Sequence, residues 1–149
     1  MGLEDFPIYG GLFATAFLAA TILPGGSEAL LAALLAMRTG DVALLLMVAT
    51  IGNTLGSVVN WLMGRAVERL RARPWFPVGP AAYAAAEQRF RRYGWWSLLF
   101  AWVPVVGDPL TVVAGALRTP FWPFLVLVAA GKAARYLVLA AGVLLWTGA

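Results

Sequence analysis

Apolar residues fall into four long stretches along the chain, at about 8–37, 42–64, 95–117 and 121–147, separated by short polar segments. A helix needs about 20 residues to cross a hydrocarbon core of about 30 Å. The second and fourth stretches reach that length without interruption and predict spanning helices. The first and third do not. The first breaks at Pro24-Gly25-Gly26-Ser27-Glu28 and the third at Gly107-Asp108-Pro109, each with Pro, Gly and an acid inside an otherwise apolar run. The arms after the breaks have about 8–9 residues, or roughly 13 Å of helix. Such an arm reaches about halfway through a bilayer. Two geometries fit: a bent single span, or a re-entrant hairpin that returns to the side it entered. The residue types at the first break favour a hairpin tip over a kink, because irregular backbone at membrane depth must be buried in protein or line a wet cavity.

These features recur at a fixed offset. Pro24 and Pro104 are 80 residues apart, as are Glu28 and Asp108, while Gly52-Asn53 and Gly131-Lys132 are 79 apart. Each half reads as short arm, tip with an acid, short arm, then a full span with a Gly-polar pair near its middle. If the broken stretches are hairpins, each half crosses once and the halves are inverted copies, a recurrent transporter plan with its site at the breaks. The hairpin geometry puts the N-terminus opposite the 65–94 linker; a four-span geometry puts both on one side.

The expected architecture is therefore an all-α integral membrane protein, a single membrane domain over 1–149. Repeat one covers about 8–64, an amphipathic linker about 65–94, and repeat two about 95–147. In the linker, Tyr83, Ala86, Phe90 and Tyr93 fall on one helical face with Arg89 and Arg92 off it, as expected of a helix lying on a membrane surface. Pro74-Trp75-Phe76-Pro77 adds interfacial aromatics.

Composition strengthens the membrane reading. Of 149 residues, 62% are hydrophobic and 12% charged, and the mean hydropathy is +0.82. A soluble domain carries about twice that share of charge. The net charge of +4 is concentrated between Arg65 and Arg92, where seven arginines face Glu68 and Glu87. The positive-inside rule makes this linker cytoplasmic and argues against nucleic acid as the partner of the charge; the same arginines attract anionic headgroups. The N-terminus, with Glu4 and Asp5 and no basic residue, does not read as a cleaved signal. With no Cys and no His, disulfides, a thiolate site and a zinc site are not expected, and no cofactor is implied.

Candidate chemistry lies at the breaks and in the last span. Glu28 and Asp108 are carboxylates at membrane depth, a functional hypothesis by default and candidates for proton or ion coupling; each is also placed to cap the helix that follows it, Asp108 before a first-turn Pro. Lys132 and Arg135 lie three apart on one face of the last span. Lys132 is too deep to snorkel and is expected to meet one of the two carboxylates. The four form either structural ion pairs or a site where Lys132 and Arg135 hold an anionic group such as a lipid phosphate. Asn53, Ser57 and Asn60 form a stripe in the second span beside Gly52-x-x-x-Gly56, which suits an intrachain helix contact or a homodimer equally. Asn53, the repeat mate of Lys132, joins the substrate-binding candidates. An enzyme is not expected: a Ser27–Lys132 dyad is conceivable, but no nucleotide or metal motif is present.

The chain resembles the DedA superfamily, also called the SNARE-associated or VTT-domain family, and within it the YqaA-like branch. The residues that carry the resemblance are Leu23-Pro24-Gly25-Gly26-Ser27-Glu28, Gly52-Asn53-Thr54-Leu55-Gly56, Arg92-Tyr93-Gly94, Trp102-Val103-Pro104-Val105-Val106-Gly107-Asp108 and Gly131-Lys132-Ala133-Ala134-Arg135-Tyr136. The resemblance implies two facing re-entrant hairpins, each followed by a spanning helix, in the inner membrane. It also implies lipid translocation, since the family includes proton-coupled undecaprenyl-phosphate flippases and eukaryotic scramblases. The family's hairpin acid matches Glu28. A better-studied branch carries arginines around its second hairpin, in a pattern like R-F-I-P-G-V-R; aligned on Pro104 and Gly115 these fall on Ala101 and Gly107, so the phosphate-binding arginines are absent in place, and either Lys132 and Arg135 substitute for them or this branch moves something other than a lipid phosphate. The expected function is a proton- or ion-coupled flippase or scramblase for an anionic lipid. The alternative is a non-transporting protein supporting envelope integrity or membrane-protein assembly, its buried charges structural.

Overall fold

Asp41 starts the second apolar stretch as a helix by accepting the Leu44 N–H at 2.9 Å, which satisfies one of the donors a helix leaves unpaired at its start. The computed structural model describes residues 6–21, 25–66, 74 and 78–148, and every element among them is helical, with no strand. In chain order they are α1 (Phe6–Ala19), α2 (Gly26–Ala36), α3 (Val42–Arg65), α4 (Pro80–Tyr93), a 3-10 segment (Gly94–Trp102), α5 (Gly107–Ala116) and α6 (Phe121–Thr147). Pro24, Glu4, Asp5, Glu68, the arginines at 69, 71 and 73, and Trp75-Phe76-Pro77 lie outside the described residues.

Among the described residues, helices α3 and α6, at 24 and 27 residues, are the two long and apolar enough to cross a membrane; at 1.5 Å per residue they are about 36 and 40 Å long. They pack antiparallel, with Asn53 beside Lys132 and Trp61 beside Phe124. Helix α1 runs parallel to α3. The Tyr9 hydroxyl accepts the Asp41 N–H at 3.0 Å at one end, and Asn60 Nδ2 donates to Ala20 O at 2.7 Å at the other. Helix α2 then returns the chain to the end where α1 began. The second half does the same at the opposite end. Leu99 lies against Gly131, and α5 brings the chain back so that Trp61 Nε1 donates to Thr119 O at 3.2 Å. The turns of both reversals meet between α3 and α6, near their midpoints.

Close approach is made possible by glycine. A Cβ at Gly56 would collide with Phe17 O and Ala20, and one at Gly64 or Gly115 would enter the backbone of α5 or α3 respectively. The Gly52-x-x-x-Gly56 stripe is therefore filled by α1 of the same chain, which settles the contact left open between dimer and intrachain packing in favour of the latter.

The returning helices end alike. Thr39 N–H bonds Leu34 O and Arg38 N–H bonds Leu35 O, with Arg38 at φ 54; Thr119 N–H bonds Ala114 O and Arg118 N–H bonds Gly115 O, with Arg118 at φ 56. Both are Schellman endings with Arg-Thr at the same 80-residue offset, and each places a cation at a helix C-terminus where the dipole favours it.

Two apolar clusters flank the middle. One gathers Leu12, Leu31, Leu35, Leu45 and Ala140; the other gathers Trp61, Phe90, Leu98, Leu110, Val113, Phe124 and Val128. Helix α4 contributes Ala86 and Phe90 to the second cluster, so it is docked on the bundle rather than lying loose, and Tyr93 falls off the buried face. The outer faces of α3 and α6 stay apolar and exposed, with Trp146, Val138 and Trp122 more than 70% accessible. An apolar exterior of this extent is a lipid or partner contact, not an ordinary soluble surface. The segment 94–102, expected as an α-helical arm, is 3-10; it is a tighter coil, in which the Ser97 hydroxyl donates to Gly94 O at 2.7 Å.

Candidate functional site

The two turns and the midpoints of α3 and α6 enclose a cavity of about 20 Å³ lined by Gly25, Glu28, Asn53, Asp108, Lys132 and Arg135. That volume accommodates about one water molecule. All five residues singled out from the sequence as chemistry-bearing are on its wall. The polar layer thus sits between the two apolar clusters, where electrostatic interactions are strong and unpaired groups costly.

Glu28 forms an ion pair with Arg135, each side chain under 20% exposed. One oxygen takes the guanidinium; Glu28 Oε2 is buried without a hydrogen-bond partner. Lys132 is buried and does not meet a carboxylate, contrary to expectation. Its ammonium donates to Asn53 O at 3.1 Å and to Asn53 Oδ1. The physical reason is register. Lys132 and Asn53 stand at the same level of the two antiparallel helices, so the lysine's three donors find the nearest acceptors on α3. Asp108 lines the same cavity, and its carboxylate makes no hydrogen bond or ion pair among the described residues.

Neither acid caps its helix, which corrects the sequence expectation. Helix α2 begins at Gly26 behind Gly25 in the left-handed region (φ 97), and α5 begins at Gly107 behind Val106; neither has a side-chain cap. Because each helix starts one or more residues earlier than expected, Glu28 and Asp108 lie in the first turn with their carboxylates released into the cavity. Near a helix N-terminus the dipole favours their charge.

Sequence reasoning missed the role of Tyr136. Asn53 Nδ2 donates to its hydroxyl at 3.0 Å, and the hydroxyl donates to Ser27 Oγ at 2.8 Å. A lysine only donates, so Asn53 Oδ1 must face it and Nδ2 must face Tyr136. The result is a directed chain, Lys132 to Asn53 to Tyr136 to Ser27, which ties α6 through α3 to the first turn. The signal was present: Tyr136 follows Lys132 by four on the same face. Ser27 is bonded to Tyr136, and Lys132 to Asn53, so the two do not form the conceivable dyad. Of the remaining stripe, Ser57 donates to Asn53 O and Asn60 to Ala20 O, both packing roles. Among the described residues no group of His, Cys, Asp or Glu is placed to hold a metal ion.

Arg135 also faces outward. A lateral groove of about 240 Å³, lined by Trp102, Ala134, Arg135 and Val138, lies on its other side. Gly56 and Arg135 stand 79 residues apart, the same offset as Asn53 and Lys132. Gly56 lets α1 press against α3, whereas Arg135 lines this groove beside Trp102.

Comparison with known proteins identifies the family. The chain is 38% identical over 130 residues to the protein named Inner membrane protein YqaA of Escherichia coli (strain K12), covering 87% of each chain. It is equally similar to the protein of the same name in Shigella flexneri. A Haemophilus influenzae protein is 37% identical over 138 residues, covering 86% of this chain and 82% of that one. No solved structure gives a significant match. Residues 23–143 match the VTT domain, an interval that contains Glu28, Asn53, Asp108, Lys132 and Arg135 of the cavity. The chain belongs to the VTT-domain (DedA) family and is a membrane protein.

Proposed function

We propose that the protein is a proton- or ion-coupled lipid flippase or scramblase of the inner membrane, acting on an anionic lipid or a similar amphiphile. It is read as one membrane domain of two inverted repeats. Each hairpin enters from a different face, α3 and α6 span, and the basic 65–94 linker is cytoplasmic. The observation that carries the reading is the convergence of Glu28, Asp108, Lys132 and Arg135 on one small cavity midway along two spanning-length helices. Ionisable groups at that depth are costly and mark substrate or proton paths. Names of the relatives support the inner membrane.

In this reading Arg135 exchanges Glu28 for the anionic headgroup arriving by the lateral groove, and a proton on Glu28 or Asp108 balances the charge. Lys132, held by Asn53, supplies the second cation. The cavity has no room for a headgroup, so the arrangement corresponds to an occluded state, and movement of a hairpin turn opens it.

The test is reconstitution into liposomes with a fluorescent-phospholipid flipping assay at two pH values. Glu28→Gln is expected to elute and melt as a folded protein while flipping falls at least about tenfold, equivalent to about 1.4 kcal/mol of barrier. The second reading, structural ion pairs in a protein that supports envelope integrity or membrane-protein assembly, predicts a different outcome. There Glu28→Gln loses about 3–5 kcal/mol of stability by stranding Arg135, and the double change Glu28→Gln/Arg135→Gln restores folding. Wild-type protein that never moves lipid at either pH overturns the transport reading.

A further inference from the structure

A second recess, of about 450 Å³, lies between α4, the 3-10 segment and α5, outside the central cavity. Its walls are mostly carbon, from the Tyr93 ring, Phe100, Val103, Val106 and Leu110, with Ser97 as the one uncharged aliphatic hydroxyl, its proton given to Gly94 O. One charged group borders it, Arg89. The three arginines near the end of α4 differ in their engagement. Arg91 pairs with Glu87 at 2.8 Å, and the Arg92 guanidinium lies 5.3 Å from the Tyr93 ring. Arg89 has no ion pair, hydrogen bond or ring contact among the described residues, so its charge is uncompensated at the rim. Exposed Trp95 and Trp96 follow directly in the chain, the residue type that sits at headgroup level in membrane proteins. A hydrocarbon trough with one unneutralised cation at its edge is complementary to an amphiphile with an apolar tail and an anionic head. A neutral or zwitterionic head would leave Arg89 without a net counter-charge.

We propose that this groove binds one anionic glycerophospholipid of the surrounding bilayer, with an acyl chain along Phe100, Val103 and Val106 and the phosphate on Arg89. The site is distinct from the central cavity and does not rest on the transport reading; it requires only that this face meets a bilayer. Val103 lines both the groove and the central cavity, so the bound chain lies one side chain away from Asp108 and Lys132. Occupancy therefore bears on the position of the second turn.

The absence of cysteine makes the test clean. Phe100→Cys, at an exposed position in the groove, is labelled with bimane and reconstituted into phosphatidylcholine nanodiscs. Doxyl-labelled phosphatidylglycerol or doxyl-labelled phosphatidylcholine is then titrated in. Leu137→Cys, on the exposed face of α6, reports ordinary boundary lipid. The expected result is half-quenching at position 100 at a mole fraction of the anionic probe about fivefold lower than that of the zwitterionic one, the preference one interfacial arginine confers. The two probes should quench alike at position 137. Arg89→Gln should merge the two curves at position 100, Arg89→Lys should keep them apart, and Arg91→Gln should leave them unchanged. Equal quenching by both probes at position 100, or a preference that survives Arg89→Gln, overturns the proposal. If the Phe100→Cys protein does not elute as a folded species, Tyr93→Cys on the opposite rim gives the same readout. Failure here leaves the flipping assay untouched, and failure of flipping leaves this preference measurable.

Discussion

The two chain reversals share a backbone plan and differ in the residues that execute it. Gly25 in the first turn and Val105 in the second stand 80 residues apart, and both occupy the left-handed region, at φ 97 and φ 69. Arg38 and Arg118 repeat the agreement at the ends of α2 and α5. Glycine enters that region freely, whereas a β-branched side chain does so at a cost of about 1–2 kcal/mol. The second turn is therefore strained where the first is relaxed. The spans differ in a complementary way. On α3, Asn53 lines the cavity, Gly56 faces α1 and Ser57 bonds Asn53 O; at the 79-residue offset on α6 stand Lys132, Arg135 and Tyr136. One helix supplies short side chains and acceptors, the other long donors. A cavity of about 20 Å³ cannot accommodate long groups from both sides, so the short Asn53 on α3 faces the long Lys132 on α6.

The largest expected effect tests the difference between the spans. Gly56→Leu places a side chain in the backbone of α1 and should destabilise by about 3 kcal/mol, read as a lowered melting temperature in detergent. Ala134→Leu, beside Arg135, projects into the lateral groove and should change stability by less than about 0.5 kcal/mol. Equal costs would mean that the groove does not exist in the folded protein. A smaller effect tests the donor chain. Tyr136→Phe strips the hydroxyl that joins Asn53 to Ser27 and leaves buried polar groups unpaired, a loss of about 2 kcal/mol. A change within 0.5 kcal/mol would show that the hydroxyl ties nothing together. The smallest effect tests the turns. Val105→Gly should raise stability by about 1 kcal/mol as strain is relieved, and Gly25→Val should lower it by about 1–2 kcal/mol. If both substitutions destabilise alike, the turns are not equivalent.

Much of this asymmetry was written in the chain, and some of it was legible. The four apolar stretches, an interruption in the first and the third, the linker helix from Pro80 to Tyr93 and the 80-residue offset of the acids could be read directly, because helix length, turn chemistry and amphipathic period are local properties; the second reversal, however, lies at 103–106, and Gly107-Asp108-Pro109, read as the break, forms the first turn of α5. The Arg-Thr pairs at 38–39 and 118–119 shared the same offset and went unread, since an arginine at a left-handed C-terminal position carries no sequence signal comparable to glycine. The expectation that Lys132 meets a carboxylate failed for a different reason. It assumed that charge decides partnership, whereas the register of α3 against α6 put Asn53 nearer.

By itself, the sequence determined the class of molecule and the composition of its site. Apolar stretches of membrane length leave few polar side chains, and those few must find one another or water. Only the tertiary structure decided which of them touch: Arg135 with Glu28, Lys132 with Asn53, Tyr136 with Ser27, and Asp108 with none among the described residues. Contacts between residues 79 to 109 positions apart depend on how closely α1, α3 and α6 approach and in which register they settle. Those quantities are set by the glycines at the helix crossings and by packing on every side at once, and no local pattern along the chain encodes them.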